Sequence, residues 1–273
     1  MTLHSRTSDL IRQWVVFVSL IVAVVGSLIG SGALGGIPIQ EAAGGALRAD
    51  ATLIAPAVPA FSIWSVIYLG LAGLAIWQLL PAQRANPRQR QLGYLVAASL
   101  VLNAAWILSV QAGLFALSVA VIAALVVVLA LAFRRSVATT GTGWIEAVLV
   151  DGVIGLYLGW VCIATAANVT AWLVSIGFDG WGIAPDVWAV TVVALAGLIG
   201  VALAIKGRGR LAVAASLSWG LVWVAVARLT GAPYSVATGS AAITAVAAIV
   251  LVTVIWRVRS VRDSGRRPEP EIA

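Results

Sequence analysis

Eight stretches of about 20 mainly apolar residues, parted by short polar connections, constrain this chain more than any other feature. They cover roughly 14–34, 60–80, 92–112, 114–133, 144–170, 187–205, 211–229 and 239–256. About 20 residues is the length at which a helix crosses ~30 Å of hydrocarbon. In lipid no water can satisfy an open backbone group, so runs this long select helices over strands. Hydrophobic residues make up 62% of the chain and charged residues 10%. A soluble domain carries about a quarter charged residues. The expected fold is therefore an all-α integral membrane protein of about eight transmembrane helices, with the lipid bilayer as part of its solvent. The first run follows Arg6 and Arg12 and is too long for a signal-peptide core, so it reads as a retained helix.

The charges alternate along the chain. Arg6 and Arg12 precede the first run, and Arg84, Arg88 and Arg90 follow the second. Arg134 and Arg135 follow the fourth run, Lys206, Arg208 and Arg210 the sixth, and Arg257, Arg259, Arg262, Arg266 and Arg267 the eighth. The other connections carry few charges, among them Glu41, Arg48, Asp50, Asp179 and Asp186. Basic loops on every second connection place both termini in the cytoplasm under the positive-inside rule. The net charge of +7 thus belongs to membrane topology, and no nucleic acid is expected as partner. The polar, Pro-containing segment from Ser260 onward is expected to be a disordered tail.

Residue usage removes several chemistries. The chain has one cysteine, Cys162, and one histidine, His4, so a disulfide framework, a Cys-based metal site and His catalysis all lack their residues. No metal cluster, phosphate loop, nucleophile arrangement or cofactor motif is visible, and no cofactor is expected.

Tryptophan is abundant, at 12 residues. Trp14, Trp77, Trp144, Trp188 and Trp256 fall near run ends, where indoles form interfacial belts. Three other runs carry polar-aromatic stripes. Trp64 and Tyr68 are four apart, Asn103 and Trp106 three apart, and Tyr157 and Trp160 three apart, with Asn168 two turns further on. At ~1.5 Å per residue, Trp64, Tyr68, Asn103, Trp106 and Trp160 all lie ~6–15 Å below the outer end of their helices. Three such faces at one depth either line a pocket for a flat, apolar ligand with polar handles, or pack together with the amides as interhelical glue.

These stripes carry a resemblance. FSIWSVIYLGLAGLAIW (Phe61–Trp77), LVLNAAW (Leu100–Trp106) and YLGWVCIATAAN (Tyr157–Asn168) resemble motifs of the second, third and fifth helices of the tryptophan-rich sensory protein family, also called the TspO or translocator protein family. The similarity covers roughly Trp14 to Phe178. It implies a TspO-like five-helix domain over 1–178, followed by an additional three-helix segment over 179–259 and the tail over 260–273. It also implies a porphyrin or similar flat amphipathic small molecule held beneath the first long loop, with Trp64, Tyr68, Asn103, Trp106, Tyr157, Trp160 and Asn168 at ligand-binding positions. A homodimer and a bacterial inner membrane location follow from the same resemblance. Two family prolines are replaced, by Ile63 and Leu156, and AWLVSIGFDG (Ala171–Gly180) lacks the basic residue of a sterol-recognition pattern.

Two charges stand apart. Asp151 lies ~10 Å into the fifth run and is read either as a relay or as a packed acid paired with a nearby arginine. With Gly155 and Gly159 it forms a small-residue stripe suited to close helix packing. Arg228, at the outer end of the seventh run, is expected to snorkel to the interface or to hold a ligand carboxylate. The functional expectation is a membrane sensor, regulator or carrier of a tetrapyrrole. Tryptophan-assisted oxidation of bound porphyrin is the only chemistry in view, and a small secondary transporter or a structural subunit are the alternatives.

Overall fold

The computed structural model describes residues 3–139, 141 and 143–265. Eight helices long and apolar enough to span a membrane are present among them. They are α1 (Leu3–Gly30), α2 (Ile63–Trp77), α3 (Pro87–Gln111), α4 (Phe115–Ala138), α5 (Trp144–Ser175), α6 (Pro185–Lys206), α7 (Leu211–Thr230) and α8 (Val236–Gly265). Each coincides with one apolar run, and the chain is an all-α integral membrane protein.

The helix ends differ from the apolar boundaries where polar residues find partners. α1 begins at Leu3 rather than near Trp14, because the polar turns of its first part are satisfied by neighbouring helices. Asp9 accepts from the Arg90 guanidinium at 2.7 Å. Arg12, only 2% exposed, donates to the Arg84 carbonyl at 2.9 Å, and Gln78 donates to the Gln13 carbonyl at 2.8 Å. At the other end of the chain α8 runs on to Gly265, where a tail from Ser260 was expected. The Ser260 hydroxyl donates to the Arg208 carbonyl at 3.1 Å and helps to hold the last turns against the α6–α7 turn. The remainder of the expected tail, 266–273, lies outside the described residues.

α3 and α4 are joined by a tight turn in which Gly113 adopts φ +72°, a conformation that costs glycine nothing. Asn86 caps α3, its carboxamide oxygen accepting from the Arg88 amide at 2.8 Å, and Pro87 takes the first helical position, where no amide hydrogen is needed. α1 packs on α2 and α3, α3 on α4, α4 on α5, and α5 on α2, closing a ring of five helices. α6, α7 and α8 pack on one another, and α7 lies along the outside of α5.

The α5–α7 seam rests on the small-residue stripe. A Cβ placed on Gly155 would sit 3.0 Å from the Ala212 Cβ, and one on Gly159 would sit 2.9 Å from the Leu217 amide nitrogen and 3.1 Å from the Ser216 Cβ. On the partner helix, a Cβ on Gly220 would meet the Ile163 side chain at 2.9 Å. With no hydrophobic drive between helices in lipid, such backbone proximity and the dispersion it allows are the main attraction. The Ser216 hydroxyl adds a hydrogen bond to the Leu156 carbonyl at 2.5 Å. Replacing Gly159 with Val should therefore separate α7 from α5 and destabilise the protein by about 1–3 kcal/mol, the usual cost of overpacking. Thermal unfolding of the purified variant in detergent measures this, and an unchanged midpoint would refute the seam.

Candidate functional site

Within the five-helix ring the three stripes meet. The rings of Trp64 and Tyr68 on α2 are 5.7 Å apart, and Trp64 stands edge-on to Tyr157 at 6.0 Å and to Trp160 at 6.2 Å, both on α5. Phe61, in the single-turn 3-10 helix Val58–Ser62 that precedes α2, stands edge-on to Trp160 at 5.7 Å. Pro59 is the second residue of that turn, where its fixed φ suits the helical entry into α2. Edge-to-face arrangements of this kind favour a cluster over separate lipid-facing rings. Trp160 is 1% exposed and Asn103 3%, so neither looks out into lipid.

The seven positions divide by role. Trp64, Trp106 and Trp160 line a small apolar cavity together with Phe61, Ile163 and Ala167, and residues of the first long loop, including Leu47, Thr52 and Pro56, close it from above. Its volume is about 30 Å³. That is room for about one water molecule. The other four positions form polar ties between helices. Asn103 donates to the Tyr68 hydroxyl at 2.6 Å, and Tyr68 donates to the Ala23 carbonyl of α1 at 3.3 Å. Tyr157 donates to the Ser99 carbonyl of α3 at 3.2 Å. Asn168 accepts from the Trp106 indole at 3.3 Å and donates to the Ser118 hydroxyl of α4 at 3.1 Å. These bonds join α1, α2, α3, α4 and α5, and the Asn168 bond fixes the plane of Trp106.

Two polar atoms in this region have no hydrogen-bond partner among the described residues, the Trp160 indole nitrogen and the Asn103 carboxamide oxygen. A buried donor without an acceptor costs free energy, and such a group at a cavity wall is suited to an incoming acceptor.

Asp151 belongs to a different place. It lies in a π-helical segment of α5, Ala147–Gly152, and forms ion pairs with Arg88 of α3 and, at 2.5 Å, with Arg210 at the start of α7. Arg88 also faces Glu146 at 3.5 Å, and both arginines donate to the Ser136 carbonyl of α4, at 3.1 and 2.7 Å. The geometry is that of the paired acid, with both its counter-charges in contact. The π-helical turn re-aims the side chain toward both arginines, which straight helical spacing does not convey.

Arg228 differs from expectation. It is fully buried and does not snorkel. Its guanidinium donates to the Ala49 carbonyl in the first loop at 2.6 Å and to the Pro233 carbonyl at 2.9 Å. Two more bonds join α7 to the same loop. The Trp219 indole donates to the Ala60 carbonyl at 2.9 Å, and the Ala57 amide donates to the Trp223 carbonyl at 3.1 Å. Trp219 and Trp223 were not among the expected site residues, although they are spaced by four like Trp64 and Tyr68; their rings stand edge-on at 5.6 Å. Of the expected belt, Trp14 and Trp144 are 57% and 76% exposed, as interfacial indoles require.

Replacing Asp151 with Asn leaves Arg88 and Arg210 facing each other without their shared anion. Arg210 is partly open to solvent, so the loss should fall near the low end for a broken buried pair, about 3 kcal/mol. Thermal unfolding in detergent should show it, and a midpoint equal to the parent's would mean that the pairs contribute nothing net.

A family model described as TSPO-like protein matches residues 13–256. The match runs on through α6, α7 and α8, past Phe178, where the motif resemblance ends. No curated protein and no solved structure matches the chain.

Proposed function

The chain belongs to the TSPO-like family, and we propose that it binds a tetrapyrrole, or a similarly flat amphipathic molecule, between α2, α3 and α5 beneath the first long loop. It does so as a sensor, regulator or carrier in a bacterial inner membrane, with both termini on the cytoplasmic side. The observation that carries the reading is the convergence of Trp64, Trp106 and Trp160, from three helices, on one apolar cavity. Large aromatic walls with few, directed polar groups are what a flat apolar ligand needs. The unpartnered indole N–H of Trp160 supplies a handle for a ligand acceptor such as a carbonyl, carboxylate or ring nitrogen.

A cavity of about 30 Å³ does not hold a tetrapyrrole as it stands. Its roof is the movable part. Phe61 and the loop residues over it belong to a connection of single turns, whereas Trp64, Trp106 and Trp160 are mounted on long helices tied by polar bonds. Binding therefore lifts the roof and leaves the walls in place. The orientation rests on the arginines, since Arg12, Arg84, Arg88, Arg90, Arg134, Arg135 and Arg210 gather at one end of the bundle.

Protoporphyrin added to the purified full chain should quench its tryptophan fluorescence saturably. Trp160→Phe, which keeps a six-membered ring and deletes the pyrrole ring with its N–H, should weaken binding by about five-fold or more, the value of one hydrogen bond plus some lost wall area. Trp64→Phe should weaken it through lost wall area. Linear, non-saturating quenching by protoporphyrin in the parent protein would exclude the pocket.

A further inference from the structure

We propose that α7 latches the lid of the tryptophan cavity, with Arg228 as the bolt and Trp219 as a second catch, and that release of these bonds is the step that admits a ligand. The inference takes the cavity to be the binding site, but the latch itself is testable without any ligand.

The lid is the connection Gly35–Ala60. It is held at several points. Near its start, Gln111 at the end of α3 accepts from the Ile37 amide at 3.1 Å and donates to the Ile37 carbonyl at 2.5 Å. All the other long-range ties named here come from α7. Arg228 holds Ala49, the Trp223 carbonyl holds Ala57, and Trp219 holds Ala60. Thr52, Ala55 and Pro56, three of the loop residues over the cavity, lie between the Arg228 tie and the Trp223 tie, while Ile39, Ala46 and Leu47 precede the first. Lifting this part of the roof therefore means parting it from α7.

Arg228 is an unusual residue to spend on packing. It is 0% exposed, and among the described residues no carboxylate lies within ion-pair distance of it. Its hydrogen bonds go to carbonyl oxygens, with the Asp50 carboxylate of the lid acting on it from further off, and one of the two acceptors, Ala49, is also supplied by the lid. A charge-assisted bond is roughly twice as strong as a neutral one. It exists only while the lid is down. The Trp219 bond lies at the foot of the lid, where Ala60 leads into α2, so the two ties bracket the segment over the cavity. α7 in turn is anchored to α5 by the glycine seam, on the helix that carries Trp160. The latch is thus mounted on the same rigid wall that forms the back of the cavity.

The test compares amide hydrogen exchange in the full chain, reconstituted in lipid nanodiscs without ligand, for the parent, Arg228→Met and Trp219→Phe. Arg228→Met leaves the Ala49 carbonyl without its donor, and water replaces the donor only when the lid lifts. Trp219→Phe deletes one catch at a partly exposed position and keeps a six-membered aromatic ring there. The amides of Ala51, Ala55 and Ala57 should exchange at least ten-fold faster in both variants, with α1–α5 unchanged. Lid exchange equal to the parent's in both variants would overturn the proposal. So would an acceleration spread evenly over the helices, because α7 would then stabilise the whole fold. Stopped-flow quenching by protoporphyrin should show association at least ten-fold faster in the variants. Faster lid exchange with no protoporphyrin binding by any form supports the latch and removes the tetrapyrrole reading, so the two failures are told apart.

Discussion

Lipid offers no hydrogen bonds, and this constraint sets the architecture. Polar groups carried below the headgroups must find nearly all of their partners within the chain. The five-helix ring satisfies this with single polar residues placed one per contact: Tyr68 to α1, Asn103 to α2, Tyr157 to α3, and Asn168 to α3 and α4. Each bond is modest by itself, yet each also fixes a rotation of one helix about its axis. Together they decide which face of α2, α3 and α5 looks inward, and so where the tryptophans point.

The same constraint explains the charges. Arg88, Arg210, Glu146 and Asp151 form a compact neutral group where α3, α5 and α7 meet, closed by the Ser136 carbonyl of α4. Arg12 and Arg90 do similar work between α1, α3 and the end of α2. At the opposite end Arg228, like Arg12, is bound to carbonyls and not to acids, and one of its two acceptors, Ala49, lies in the first long loop. The first end adds ion pairs to such carbonyl ties and is closed. The second depends on a loop for one of its partners, which makes it the end that can open.

Much of this was legible in the residues. Run length and the scarcity of charge defined eight helices, and the spacing of Gly155 and Gly159 marked a packing seam, because side-chain period follows directly from helical geometry. The convergence of Trp64 and Trp160 was also readable, since both the depth from the helix ends and the inward face are one-dimensional quantities. What could not be read was the partner of each polar residue. Nothing in the spacing says that Asn168 holds the Trp106 indole, or that Arg228 reaches back 179 residues to Ala49. The π-helical turn at Ala147–Gly152, which carries Asp151 beside Arg88 and Arg210, was hidden as well, because straight helical spacing does not convey it.

The primary structure by itself determined the class, the number of spans and the inward stripes of α2, α3 and α5, because hydrophobic length and helical period act locally. Only the tertiary structure decided which inward residues became ties and which became cavity wall, how little space they leave, and that α7 closes the lid. Those outcomes depend on distances between helices far apart in sequence, set by glycine contacts and buried hydrogen bonds that form only when the bundle is assembled.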